Sequence, residues 1–160
     1  AGNPYGTLRA DKAHAVLAKR GVPLATNQVE YSLIERKPER TGLIDAAREL
    51  GVTLIAYSPL GKGMLTGKYN AQNPPPGARG RLYRGDKLAK LEPINALLKE
   101  IGAAHGGKTH GQFALNWLIC KCAIPIPGAK NARQAEQNAG ALGWRLTDEE
   151  VARLDGIGAL

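Results

Sequence analysis

A chain of 160 residues is long enough to bury a core as one domain, but it is short of the ~250 residues that a complete eight-stranded α/β barrel needs. Apolar residues make up 43% and charged residues 22%, the balance of a folded globular chain, and no apolar run approaches the ~20 residues of a membrane span. The two cysteines, Cys120 and Cys122, stand one residue apart with no histidine close by. That spacing excludes a zinc pattern and an easy disulfide, and it predicts buried or half-buried free thiols at a helix end, suited to a reducing compartment.

Thr7 to Arg20 predicts a helix with Thr7 as its N-cap, Leu8, Ala13, Val16 and Leu17 near one face, and Gly21 as the stop. Leu24 to Tyr31 is the first strand. Asn27 and Gln28 interrupt its apolar run, and a buried amide without a partner costs about 1–3 kcal/mol. Gln28 is therefore either satisfied within the core or placed to meet a ligand's carboxamide at the strand's carboxyl end. Lys37-Pro38 leads into a helix to about Leu50, with Leu43, Ile44, Ala46, Ala47 and Leu50 as apolar positions and Gly51 as cap. Val52 to Ala56 is short, apolar and rich in β-branched residues, as in a strand covered on both faces.

The chain then changes character. Tyr57, Ser58, Pro59, Gly61, Lys62, Gly63, Thr66 and Gly67 supply a ring, hydroxyls, a fixed bend, bare backbone and positive charge. Ligands of α/β sheets and barrels sit beyond the carboxyl ends of strands. Glycines admit backbone close to phosphates, and Tyr57 offers a stacking face. The stretch suits an anionic, ring-bearing ligand, although composition alone accommodates a plain turn with a surface lysine equally well. Much of the net charge of +8 follows, with seven Lys and Arg side chains from Lys62 to Lys90 against a single Asp86. Such a stretch could bind nucleic acid or a phosphorylated ligand. No nucleic-acid motif accompanies it, so it reads mainly as solvated loop.

Asn70 to Asp86 contains Asn73-Pro-Pro-Pro-Gly77, which excludes regular helix or central strand and predicts an irregular lid or clasp. Leu88 to Ala104 is helical, with Leu91, Ile94, Leu97, Leu98 and Ile101 on one face and Pro93 in its first turn. His105-Gly106-Gly107 breaks it. Thr109 and Gln112 predict a capping box for a helix to about Cys120. His14 reads as a surface residue, and His105 and His110 as structural or solvated groups. Ala123 to Ile126 is the last strand. Gly128-Ala-Lys130 leads into a helix with Asn131 as N-cap, whose free N–H groups and dipole favour an anion. Lys130, Arg133 and Gln134 either serve that anion or are surface residues. Thr147-Asp-Glu-Glu150 is a second capping box, opening a helix that ends near Gly156. The alternation predicts parallel strands joined by helical crossovers.

Three stretches then take on a shared meaning: Asn27-Gln-Val-Glu-Tyr-Ser-Leu33, Tyr57-Ser-Pro-Leu-Gly-Lys-Gly-Met-Leu-Thr-Gly-Lys-Tyr69, and Ile124-Pro-Ile-Pro-Gly-Ala-Lys-Asn-Ala-Arg-Gln-Ala-Glu-Gln-Asn138. In this order they resemble motifs of the aldo-keto reductases, with the second similar to the loop after the seventh barrel strand. The likeness runs from about Tyr5 to Asp155 and is closest to the plant and algal, often plastid, branch. It implies an α/β fold, the carboxyl-terminal part of a (β/α)8 TIM barrel with parallel strands and outer helices. Residues 1–160 would form a single partial NADP-dependent oxidoreductase domain, lacking the first half of the barrel.

The resemblance also implies roles. Gln28 matches the contact to the nicotinamide amide of NADPH, and Tyr57 the ring stacked on the nicotinamide. Ser58, Leu60 and Lys62 match the pyrophosphate-side loop, and Gly128, Lys130, Gln134 and Asn138 the adenosine-phosphate site. Two departures stand out. A Ser-Asn pair usual near the start reads Asn3-Pro4, which removes an amide contact, and a usual Glu-Asn pair near the adenine reads Gln137-Asn138. The family's acid tyrosine, with its lysine, aspartate and histidine, belongs to the first half of the barrel. The resemblance therefore assigns no catalytic residue and no metal to this chain, and implies that alone it does not reduce carbonyls. A small-molecule carbonyl would be the substrate of the full-length parent, in chloroplast or cytoplasm, with neither nucleic acid nor membrane as partner. Open barrel edges predict self-association. A non-catalytic nucleotide-binding regulatory subunit is the alternative.

Overall fold

A computed structural model describes residues 5–83 and 85–157. The expected parallel arrangement is present. Strands β1 (Thr26–Glu30), β2 (Thr53–Tyr57) and β3 (Ala123–Pro125) form one sheet in that order, every pair parallel. The register sets Gln28 beside Ile55, Ile55 beside Ile124, and Glu30 beside Tyr57.

Side chains alternate between the two faces of a strand, and here the faces differ sharply. Leu54, Ala56 and Ala123 are buried against the helices. The opposite face leaves Gln28 exposed, and exposes Tyr57, Ile124 and Ile126 by 39%, 52% and 44%. The expectation that Val52–Ala56 is covered on both faces is thereby corrected. Its run of apolar residues matches the inside of a barrel, and among the described residues only the helical layer covers the strand.

The first helix, α1 (Tyr5–Ala18), is longer at its start than expected, and Val16 on its apolar side is 57% exposed rather than packed. The single helix expected up to Leu50 is two, α2 (Lys37–Arg40) and α3 (Leu43–Glu49). Gly42 separates them in a left-handed conformation, φ 72°, which glycine adopts without steric cost. A 3-10 segment spans Gly61–Thr66. The stretch expected to be irregular up to Asp86 holds a short helix, α4 (Ala78–Leu82), with α5 (Asp86–Ala89) after it. The proline tract stops at Pro76, and beyond Gly77 the residues are free to coil. Then come α6 (Leu91–Ala104), α7 (His110–Cys120), α8 (Ala132–Ala139) and α9 (Asp148–Gly156). Both expected capping boxes are formed, Thr109 with Gln112 and Thr147 with Glu150.

Leu91, Ile94, Leu97, Leu98 and Ile101 of α6 are all buried, as their spacing predicts, together with Phe113, Trp117, Met64 and Leu65. An ionic clasp closes the helical layer beside this core. The Trp117 indole N–H donates to Asp155 Oδ1 at 2.9 Å, and Lys121 Nζ reaches Asp155 Oδ2 at 2.6 Å. Arg36 pairs with both Glu39 and Asp155, and the Tyr31 hydroxyl donates to Glu39. Burial, and then the Glu39 carboxylate, push the Tyr31 phenol far up from its ordinary pKa.

His105 Nε2 lies 2.7 Å from Glu150 Oε1 and packs against Phe113 and Trp144, a structural role as expected. Burial opposes the Glu150 charge, but the Thr147 N–H and His105 outweigh it and hold that carboxyl below its usual range. The cysteines divide. Cys120 is half-buried, whereas Cys122 is exposed, with φ 59°, so the expectation of two sheltered thiols is corrected. The helix ends at Cys120 with Lys121 as its cap, and the turn into β3 carries Cys122 outward. No helix among the described residues is long and apolar enough to cross a membrane.

Candidate functional site

The chain leaves β2 by turning at once. Ser58, Gly61, Lys62, Gly63 and Gly67 all have positive φ. A Cβ on Gly61 would also stand 2.4 Å from Ile34 Cδ1, so the Ile34 side chain would have to shift to admit one. Backbone bonds close the turn: Gly61 N–H donates to Ser58 O at 2.8 Å and Leu65 N–H to Leu60 O at 3.1 Å. Met64 and Leu65 are completely buried and anchor it to the core. Lys62, Thr66 and Gly67 are left exposed, with Ser58 and Gly63 partly so.

Opposite stands the segment from β3 into α8. Asn131 caps the helix, its side-chain oxygen accepting from the Gln134 N–H at 3.0 Å. Gln134 Oε1 accepts from the Lys130 N–H at 2.8 Å, and Asn138 Nδ2 donates to Gly128 O at 3.4 Å. Gln134 and Asn138 thus hold the Gly128–Lys130 turn over the helix start.

Between these walls lies an open cleft of ≈ 760 Å³ beyond the carboxyl ends of β2 and β3. Of the residues singled out from the sequence, Ser58, Leu60, Lys62, Gly128, Lys130, Gln134 and Asn138 all line it. The described lining includes Lys62, Lys68 and Lys130 and contains no carboxylate. Ammonium groups, exposed backbone and a helix start form a donor set that fits an elongated phosphate-bearing ligand.

The chain matches the Aldo/keto reductase family over residues 6–159. It belongs to that family. Over 151 residues it is 48% identical to "Pyridoxal reductase, chloroplastic" of Arabidopsis thaliana, covering 94% of this chain and 41% of the relative. An aldo-keto reductase of Schizosaccharomyces pombe named for NADP(+) is 34% identical over 140 residues, covering 82% of this chain and 41% of the relative. Among solved structures, a glycerol dehydrogenase from Gluconobacter oxydans matches with a TM-score of 0.78 at 27% identity, covering 89% of this chain and 45% of that one. The chain therefore spans under half the length of these relatives, as a partial aldo/keto reductase barrel.

Two further expected residues of this aldo/keto reductase chain lie outside the cleft, on the open sheet face. Gln28 and Tyr57 are exposed there, at the strand positions beside Ile55 and Glu30. Arg133, considered for an anion from its place in the sequence, is exposed on α8 but does not line the cleft. Asn3 and Pro4 fall outside the described residues.

Sequence reasoning gave no part to Glu30. Its carboxylate lies 3.0 Å from Lys62 Nζ, and chiefly through that bond it raises the lysine's pKa above the ordinary range. The signal was present inside the Asn27–Leu33 motif, but nothing local ties residue 30 to residue 62. Thr66, Lys68 and Gln137 also line the cleft; the first two stand in the loop motif and the third in the Ile124–Asn138 motif.

Proposed function

We propose that this chain is the cofactor-binding part of an NADPH-dependent aldo-keto reductase, an oxidoreductase that in the whole protein passes hydride to an aldehyde or ketone. The observation that carries the reading is the single cleft lined from both walls by Ser58, Leu60 and Lys62 and by Gly128, Lys130, Gln134 and Asn138, with cations and no carboxylate among its described lining.

The α8 start and Lys130 would hold the adenosine 2′-phosphate, and the Ser58–Lys62 turn the pyrophosphate. Tyr57 would stack on the nicotinamide, with Gln28 on its carboxamide. The bound cofactor supplies the hydride. The chain's part is to orient that ring against the open sheet face. Hydride transfer leaves an alkoxide that must be protonated as it forms, and a positioned acid contributes on the order of 10²–10⁴-fold. No residue of this stretch takes that role in our reading; the acid belongs to the other part of the barrel. The isolated chain should bind NADPH and consume none with a panel of small aldehydes and ketones. The name of the Arabidopsis relative supports a small carbonyl substrate and a plastid location, with cytoplasm as the other setting.

Titration of Ala1–Leu160 with NADPH and NADH, beside Lys130→Glu, tests the reading. Charge-assisted contacts to phosphate are the stronger hydrogen bonds, so the substitution should weaken NADPH by about tenfold or more and NADH far less. Equal weakening of both, or no binding by the unaltered chain, would overturn it.

A further inference from the structure

Lys62 is the cation of the cleft whose direction is most constrained. It stands at φ 57° and ψ 27° within the 3-10 segment, a backbone conformation that costs a residue with a Cβ roughly 1–2 kcal/mol. From there its ammonium reaches Glu30 Oε1 at 3.0 Å. Glu30 is the last residue of β1 and lies beside Tyr57, the last residue of β2. Lys62 thus spans from the phosphate-side turn back to the strand-end rim, where the negative partner is a carboxylate on a different strand.

Resting on the cofactor reading above, we infer that Glu30 is a positioning residue of the site: it holds the Lys62 ammonium at the strand-end rim, so a cofactor phosphate must take the lysine from a carboxylate. The argument is one of exclusive partners. A lysine is a compact charge on one flexible stem, and an ammonium seated on Glu30 is not seated on the pyrophosphate. Both side chains are partly exposed, 43% and 33%, so the exchange is cheap enough to be reversible. The carboxylate lowers affinity and supplies the lysine with a place to return to when the ligand leaves. Among the described residues no carboxylate pairs with Lys68, which lies over the Tyr69 ring, or with Lys130, and these two give the cleft its standing attraction for an anion.

Fluorescence titration of NADPH against the full chain, at two ionic strengths, reads this directly. Glu30→Gln should tighten NADPH by about two- to fivefold, the range of a partly exposed ion pair, and should steepen the loss of affinity between 50 and 300 mM salt. Glu30→Asp, one methylene shorter, should move the same way by less, which also covers a Gln variant that folds poorly. In a Lys62→Met background Glu30→Gln should change nothing. Unchanged or weaker binding in Glu30→Gln, or the same shift with Lys62 removed, would overturn the inference. If binding remains sensitive to Lys130→Glu while Glu30→Gln has no effect, the cofactor reading stands and this one falls. Absence of NADPH binding in the unaltered chain would remove both.

Discussion

Gly67 and His110 show how much of the loop depends on single atoms. Gly67 closes the 3-10 segment at φ 73°, and a Cβ there would lie 2.2 Å from His110 Nδ1. That nitrogen is buried without a hydrogen-bond partner among the described residues. Burial first, and Lys99 second, depress the histidine's pKa, so the ring is held neutral, the form that tolerates an unpartnered nitrogen. Gly67→Ala should destabilise the chain by about 1–2 kcal/mol from the backbone alone, with more if the ring cannot turn away. Urea unfolding measures this, and adding His110→Ala should recover the steric part while leaving the backbone cost. Full stability in Gly67→Ala would mean that the loop has another resting position. At this scale the sequence was legible where chemistry is local. Ser58, Leu60, Lys62 and Lys130 stand in motifs whose family resemblance points to an anion where residue types alone suit a plain turn equally well, and all line one cleft. The Glu30–Lys62 pair joins residues 32 apart by number and depends on the sheet register, which no motif displays.

Helix α8 carries half of the proposed cofactor grip with little tertiary support. None of its described residues is fully buried, unlike α6, where six are. Short helices are marginal without packing, so its cap matters more than a cap elsewhere. Removing an Asn cap costs about 1 kcal/mol. In α8 that loss should fray the turn holding Lys130 and Gln134 while leaving the core intact. Asn131→Ala is therefore expected to weaken NADPH several-fold, about 1 kcal/mol, with almost no change in melting temperature. A cooperative drop in melting temperature without loss of affinity would place α8 in the core instead. The cap itself was legible, as were the two capping boxes, because each is set by residues three apart. The division at Gly42 and the coiling of Ala78–Leu82 were not. Apolar spacing runs on across the first, and the neighbouring prolines and glycines conceal the second.

At the scale of the whole molecule, two features act against each other. The sheet presents Tyr57, Ile124 and Ile126 on one open face, and among the described strands β1 and β3 lack an outer neighbour. Exposed apolar surface and unpaired strand edges promote association. The relatives supply more than half of their length beyond the part matched here, and a closed barrel leaves no edge. Against this stands the net charge of +8, which keeps copies of the isolated chain apart through repulsion. Salt weakens that repulsion, since the Debye length falls from ~30 Å at 0.01 M to ~10 Å at 0.1 M, while contacts between apolar side chains are unaffected. The chain should therefore sediment as a monomer in dilute low-salt buffer and as larger species at 0.3 M salt and high concentration. Ile124→Lys and Ile126→Lys together should restore the monomer at 0.3 M. Both side chains are about half exposed on the open face, so the change should leave the unfolding midpoint nearly unmoved. Sedimentation velocity across both conditions decides the matter. A monomer at every salt and concentration would show that the face and edges do not associate, and undiminished association in the double lysine variant would place the contact elsewhere.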